Sequence, residues 1–424
     1  MSSKDWKIRV IFKYVFAFYF IFVRWPIVIL LRIIAPFNSS IGKRVSFERD
    51  YFKSNFVSNK PYYVCFHISS QGELEQIYPL IEFALEEPKN NIEICFTSES
   101  VLSNLRILKS KDPSRISIFT LNLLSLSPFH FISLQKRIKS SRIILCRYDF
   151  FPELLFLKFS RTLGLVNSRV KNKGRIYRYI LRWFDFIVAA TKFDEEVLRI
   201  DGANLIGVGD FRGSRVASRQ LKAIKSPKYK SFKIICENWK GRVLGVGSSW
   251  KSDLDNIFNI GDFSKGNLYF FFPHKVDLDS INGHLNFIKS KVAVIDNMET
   301  FDFNRSILDG CTTFIVKEMG VLCDLYPYFD VVYVGGGFEK SIHSVLEPFV
   351  SGALVTCGPK VHRSSEYEYI KGFMPDRIKV INSPDDFNSI LENVKIEVYR
   401  GSRRGEFIKS FSMKMNPLIK KVFL

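Results

Sequence analysis

The sequence predicts an α/β protein built from two Rossmann-like domains behind an N-terminal membrane-anchor helix, and three observations carry that expectation. Its 424 residues are long for one core and suit two, since a domain usually takes roughly 100–200 residues. Short apolar runs alternate with amphipathic stretches, the rhythm of parallel strands joined by helices. Near the start, Tyr14–Leu31 is an apolar tract interrupted only by Arg24.

That tract is close to the minimum of roughly 17–25 residues that a spanning helix needs. Lys7, Arg9 and Lys13 precede it, and Arg32, Lys43 and Arg44 follow. A mid-tract arginine costs about 2.5–3.5 kcal/mol on insertion scales, so spanning the bilayer and lying in its plane both stay open. The absence of a small-residue cleavage site argues against a removable signal, and residues 1–40 are assigned to the anchor and its flank. Seven cysteines, scattered singly without a C-x-x-C pair, read as buried thiols of a reducing compartment. Basic residues on both sides give no orientation by themselves, but reduced thiols place the body on the cytoplasmic side. The six histidines are equally dispersed, so no zinc site is expected.

Strands are expected in the first half at Tyr62–Phe66, Ile92–Phe96, Ile116–Phe119, Ile143–Cys146, Phe186–Ala190 and Leu205–Val208. The second half supplies Arg242–Val246, Leu268–Phe272, Val292–Ile295, Thr313–Val316, Val331–Val334, Leu354–Cys357 and Ile378–Ile381. Between them, Arg212–Lys233 is rich in Lys, Arg and Ser with little apolar periodicity and reads as a linker. This divides the body into an N-terminal domain over 41–211, a linker over 212–233 and a C-terminal domain over 234–399, followed by a helix or tail over 400–424. Ligands of such sheets bind at the carboxyl ends of the strands, so a cleft between the halves is the expected site.

The net charge of +20, from 62 Lys and Arg against 42 Asp and Glu, suits a polyanionic partner. Nucleic acid is disfavoured, because the chain has no zinc-finger spacing, no RNA-recognition signature and no dense basic block. Anionic lipid and phosphorylated substrates remain.

The most informative segment is Val331–Pro359, VVYVGGGFEKSIHSVLEPFVSGALVTCGP. A buried strand over Val331–Val334 leads into a glycine turn at Gly335–Gly337 and then a helix expected over Ser341–Phe349, whose first N–H groups would meet an anion. Alone, this is equally a plain strand-to-helix connection.

Its pattern of GGGF, IH, LEP and GP resembles the donor-nucleotide site of the 3-deoxy-D-manno-octulosonic acid (Kdo) transferases. That resemblance implies donor-binding roles for Gly336, Gly337, His343, Ser344, Leu346 and Glu347, with Ser344 standing where many members have Asn. Gly247-Ser248-Ser249-Trp250, followed by Asp253, resembles the family's Gly-Ser-Thr-Trp element and implies a donor role for Ser248 and Ser249. Pro273 and His274 match its Pro-His variant, and Met319, Gly320 and Val321 match the Met-Gly element that frames cytosine. Alone, His274 would be a structural histidine and Met319 core.

In the first half, His67–Leu74 resembles the family turn in which a Gly-Glu pair opens a helix, implying Glu73 as the catalytic base beside Ser70 and Gly72 on the acceptor side. A carboxylate in a helix's first turn is stabilised by about 0.3–1 kcal/mol; without the resemblance it reads as an ordinary helix-start glutamate. Arg147–Leu154 lies where the family has Glu-Thr-Glu-Leu-Trp-Pro, so Arg147 reverses the charge of one glutamate and Asp149 replaces the other. The match of Asn167–Val170 to Asn-Ala-Arg-Leu implies an acceptor contact by Arg169, and Gly209–Arg212 replaces Gly-Asn-Leu-Lys, keeping a cation in Arg212. Alone, Arg212 is a linker arginine.

The resemblance implies a GT-B glycosyltransferase that moves Kdo, with inversion, from CMP-Kdo to the 6′-hydroxyl of a lipid A precursor at the cytoplasmic face of the inner membrane, without metal or cofactor. Glu73, Asp149 and Arg212 would carry the chemistry. The alternatives are a related transferase with another nucleotide sugar or acceptor, and a non-catalytic nucleotide-fold protein on the membrane surface.

Overall fold

Short β-rich apolar runs with few polar positions belong in sheets covered on both faces, because parallel strands joined by helices bury both sides. The computed structural model describes residues 14–52, 60–147, 150–171, 173–258, 266–393 and 400–424. Among them fourteen strands form two seven-stranded sheets, all neighbours parallel. The chain separates into a first unit of residues 1–212 with 418–424 and a second of residues 213–417. Two Rossmann-like units of this kind make up the GT-B class.

In the first unit, β1 (Val64–Ile68), β2 (Ile92–Phe96), β3 (Ile116–Thr120), β4 (Arg142–Cys146), β5 (Thr162–Ser168), β6 (Phe186–Ala189) and β7 (Leu205–Val208) run in the order 3-2-1-4-5-6-7. The sequence expectation omitted β5, which sits between β4 and β6. Its TLGLVNS lacks a continuous apolar run, and Gly164 is needed because a Cβ there would lie 1.9 Å from the Phe186 ring.

The second unit holds β8 (Val243–Ser249), β9 (Leu268–Pro273), β10 (Val292–Ile295), β11 (Thr313–Val316), β12 (Val331–Val334), β13 (Leu354–Cys357) and β14 (Ile378–Val380) in the order 10-11-9-8-12-13-14. The stretch 212–233, expected as a linker without periodicity, instead forms the helix Arg212–Lys225 and the start of the helix Lys230–Asn238. Its small and apolar positions Gly213, Ala217, Ala223 and Phe232 are buried under long basic side chains that hid the pattern. The C-terminal segment is the helix Gly405–Phe423, whose last residues join the first unit, where Phe423 stacks on Tyr63 and Phe83 at 5.7 and 5.3 Å.

The apolar helix Tyr14–Phe37 is long enough to cross a bilayer, but its mid-tract arginine points into the protein. Phe20, Arg24 and Val28, spaced four apart on one face, are buried, while Phe18, Phe22, Ile27, Leu30, Ile33 and Phe37 are exposed. A π turn over Tyr19–Arg24 ends just before Pro26, which lacks the N–H for the next helical bond. Arg24 Nε donates to Glu153 Oε1 at 2.5 Å and Nη2 to the Leu123 carbonyl at 2.8 Å. Burial and the Arg24 charge push the neighbouring His130 down to about 4, so its imidazole is neutral at pH 7. Of the basic flank, Lys7, Arg9 and Lys13 lie outside the described residues.

Removing one member of a buried ion pair strands the other charge and costs about 3–5 kcal/mol, whereas replacing both by apolar groups is often neutral. Arg24→Ala is therefore expected to lower the stability of the first unit by roughly that amount in urea unfolding of detergent-solubilised protein. Arg24→Met with Glu153→Leu should recover most of the loss; equal loss in both variants would show that the pair does not hold the helix.

Candidate functional site

In a doubly wound sheet the crevice opens where consecutive connections leave in opposite directions, at the carboxyl ends of the two central strands. In the first unit those strands are β1 and β4, and in the second β8 and β12. Of the residues singled out in the sequence, Ser70, Gly72, Glu73, Arg147, Ser248, Ser249, Gly336 and Gly337 sit at or just beyond these ends.

At the end of β1, Ser70 caps the helix Gln71–Glu86 by accepting from Glu73 N at 3.3 Å. The Glu73 side chain folds back, and its Oε2 accepts from Ser69 N at 2.6 Å and Ser69 Oγ at 2.7 Å. Glu73 is therefore held in one orientation and is only 6% exposed, with Gly72 exposed beside it. At the end of the neighbouring β4, Arg147 adopts φ +56°, a left-handed conformation uncommon outside glycine, and Asn167 near the end of β5 adopts φ +55°. In the orientation that satisfies both partners, the buried Gln76 amide oxygen accepts from Arg147 Nε at 3.1 Å. Arg147 thus reaches the same helix that carries Glu73. Asp149 lies outside the described residues.

Beyond β7, Asp210 is buried and accepts from Arg212 Nε at 2.9 and 3.2 Å, from Arg212 Nη2, and from Arg212 N at 3.1 Å. Burial opposes ionisation of Asp210, but the Arg212 guanidinium and its hydrogen bonds, with Arg147 adding, hold the carboxyl below the usual range. Arg212 therefore neutralises a protein carboxylate here, which the sequence pattern did not reveal. Arg169 follows β5 and is half-buried.

The second unit's crevice is organised by Asp253, fully buried in the first turn of the helix Lys251–Ile257. Its oxygens accept from Trp250 N (2.9 Å), Gly336 N (2.9 Å) and Tyr333 Oη (2.8 Å). The glycine turn has to be glycine. A Cβ on Gly335 would lie 2.2 Å from Ser248 O, and one on Gly337 2.6 Å from the Gly358 backbone; Gly336 has φ +90°. Ser248 itself takes φ +53° at the end of β8.

Above this turn three rings assemble. Trp250 stacks on His274 at 4.3 Å, His274 stacks on His343 at 4.4 Å, and Trp250 Nε1 donates to His343 Nε2 at 3.2 Å. Burial, with the His274 charge adding, lowers the His343 pKa, in keeping with an acceptor nitrogen at Nε2. His274 and His343, far apart in sequence, are brought together; Trp250 was absent from the candidate set, although its place in Gly-Ser-Ser-Trp marked it. Two Asp-x-Asp spacings, at 253–255 and 277–279, serve structure: Asp253 as above, and Asp277 by capping a helix through Ser280 N at 2.8 Å.

Other candidates have different roles. The expected helix over Ser341–Phe349 begins only at Leu346. Its first N–H groups do not await an external anion, because Glu366 Oε2 accepts from Val345 N (2.9 Å), Leu346 N (3.1 Å) and Ser344 Oγ (2.9 Å). A carboxylate from the helix Ser365–Phe373 thus fills the position assigned to phosphate, and no local signal in the sequence links Glu366 to that turn. Leu346 is core at 1% exposure, and Ser249 Oγ is directed to the buried His284 Nε2 at 2.8 Å. Pro273 is buried at the end of β9. Met319 is exposed and Val321 buried, and the Gly320 carbonyl accepts from Arg219 Nη2 at 2.5 Å. Glu347 is half-buried, and its charge acts on Cys323 and Tyr326 rather than standing alone in solvent.

No family model matches the chain. It is 24% identical over 341 residues to the 3-deoxy-D-manno-octulosonic acid transferase of Aquifex aeolicus (strain VF5), covering 78% of this chain and 87% of that protein. Among solved structures, UDP-GlcNAc 2-epimerase from Neisseria meningitidis bound to UDP-GlcNAc superposes with a TM-score of 0.51 at 12% identity, over 83% of this chain and all of that one. Another UDP-N-acetylglucosamine 2-epimerase gives 0.50 at 12% identity, over 84% of this chain and 91% of its own. At these identities the two structures share the fold.

Because burial and His274 both disfavour the imidazolium, His343 is expected to titrate below the ordinary 6.5 in a histidine NMR experiment. The His274→Ala variant should move that midpoint upward, though not fully to the ordinary value, since burial remains. A midpoint unmoved by His274→Ala would show that the two rings are not electrostatically coupled.

Proposed function

We propose that this chain, a relative of the Kdo transferases, moves Kdo from CMP-Kdo to the 6′-hydroxyl of an acylated, phosphorylated glucosamine disaccharide, with inversion. The coarser statement, a glycosyltransferase of lipopolysaccharide biosynthesis, follows from the relative together with the two Rossmann-like units. The observation that carries the reading is the ring cluster of Trp250, His274 and His343 beside the glycine turn at the β8/β12 switch point. Flat, partly exposed rings offer a stacking face to a nucleobase or sugar, and the adjoining backbone of Gly336 allows close approach.

In this reading the acceptor hydroxyl attacks the anomeric carbon of Kdo. Its proton passes to the Glu73 carboxylate, and the bond to the CMP phosphate breaks with its electron pair leaving on the phosphate oxygen. Ser69 supports Glu73 by fixing Oε2, which is the kind of orientation a general base requires. A phosphate monoester leaves without needing a strong acid, so positive charge is the help it requires. Arg147 and Arg169 stand at the ends of β4 and β5 for anionic groups of the acceptor, and Arg212, paired with Asp210, orients the loop after β7. The exposed apolar face of the helix Tyr14–Phe37 would enter the inner membrane from the cytoplasmic face and keep the protein beside its lipid substrate.

A second reading, transfer from another nucleotide sugar, is favoured by one specific observation: Glu366 takes the helix-start N–H groups that would otherwise meet a donor phosphate. A panel of donors with the purified protein decides between them by mass spectrometry of the product. A mass increment of Kdo from CMP-Kdo supports the first reading, and label transferred only from a UDP-hexose supports the second.

Glu73→Gln keeps an oxygen for Ser69 while removing the base. It is expected to reduce turnover by about 10²–10⁴ with the KM for the donor and the melting temperature unchanged. Turnover close to that of the unaltered protein would end the assignment of Glu73 as the base.

A further inference from the structure

The first unit contains an apolar cavity of about 360 Å³ that none of the chemistry above uses. Val15, Phe16 and Tyr19 of the N-terminal helix form one wall, Phe150 a second, and Ile180 and Trp183 a third. It falls within the range of roughly 300–1,000 Å³ typical of small-ligand sites, and almost nothing polar lines it. An apolar cavity of this size beside an exposed apolar helix offers a path to a hydrocarbon chain that is already in a bilayer, without passage through water.

The helix Arg175–Leu181, which carries Ile180, also borders a second cavity of about 370 Å³. Ile180 faces the apolar cavity, while Arg175, Arg178 and Arg182 line the second one together with Ile176 and Tyr179. Among the described lining residues the only acid there is Asp201, 3.2 Å from Arg178 Nε, so three cations face one carboxylate. An apolar slot and a net-positive slot on one helix match an amphiphile with an acyl chain and an anionic head. The chain end of the slot is also tied to the reaction site, because Phe150 lies three residues beyond Arg147, at the end of β4.

We infer that the apolar cavity holds an acyl chain of the glycosyl acceptor and that Arg175, Arg178 and Arg182 receive an anionic group of the same molecule. This deepens the reading of a lipid acceptor proposed above and rests on it. The occupant is the acceptor's chain, and not that of a bilayer phospholipid, because the cavity adjoins the β4 loop where the acceptor's sugar would lie.

The test uses the full chain in non-ionic detergent and a phosphorylated, acylated glucosamine disaccharide with brominated acyl chains. Bromine quenches a nearby indole, and Trp183 lines the cavity. Saturable quenching is expected, and the Trp183-dependent part should be missing in Trp183→Phe. Val15 is exposed by half, so Val15→Lys should fold while placing a charge in the cavity. It should raise the half-saturation concentration roughly fivefold or more, since each methylene withheld from an apolar site is about fourfold in affinity. The KM for the nucleotide sugar should not change in that variant. The inference is overturned if no quenching depends on Trp183, if Val15→Lys leaves half-saturation within about twofold, or if brominated phosphatidylglycerol quenches equally well. Quenching by the glycolipid without transfer from CMP-Kdo would keep the cavity assignment and remove the donor reading. Transfer without quenching would do the reverse.

Discussion

A carboxylate with no exposed surface, Asp253, takes hydrogen bonds from Trp250 N, Gly336 N and Tyr333 Oη, and so pins together segments about 80 residues apart in sequence. Burial pushes its carboxyl up, and those three bonds pull against that shift. The ring cluster depends on this arrangement. Trp250 stands at the start of the helix that Asp253 caps, and His343 N donates to Gly335 O at 3.0 Å from the far side of the same turn. Once the turn is drawn against β8, no side chain larger than hydrogen fits at Gly335.

The first unit repeats this logic with arginines. Arg24 is tied to Glu153, Arg212 to Asp210, and Arg147 to the Gln76 amide. A chain with a net charge of +20 therefore uses several of its best-placed cations for internal order, and the surplus that faces outward lies elsewhere, as on the helix Arg175–Leu181. Buried pairs of this kind contribute orientation more than stability, since desolvation offsets much of their attraction. Orientation is what Arg24 supplies: it turns the polar position of an apolar helix inward and leaves the apolar positions outside.

How much of this was legible depended on whether the signal was local. Continuous apolar runs such as VVYV and LYFFFP marked strands correctly, because a strand buried on both faces needs no polar positions. TLGLVNS hid β5 because its glycine answers to Phe186, more than twenty residues away. The basic surface of Arg212–Lys225 masked a helix, and the helix start expected at Ser341 lies at Leu346 because Glu366, brought in by the fold, caps it there. Motif order pointed to both central switch points, yet motif residues such as Leu346 and Ser249 proved to be packing and internal hydrogen bonding.

By itself the sequence determined the alternation of strands and helices, the glycine turn after β12, the glutamate at the first turn after β1 and the apolar N-terminal helix, because each rests on neighbours within a few residues. Tertiary structure alone decided which way Arg24 points, what caps the helix at Leu346 and that Trp250, His274 and His343 stack. Those outcomes turn on desolvated polar groups finding partners across long stretches of chain. Such a partner is set by where the backbone returns, and periodicity in the sequence does not encode that.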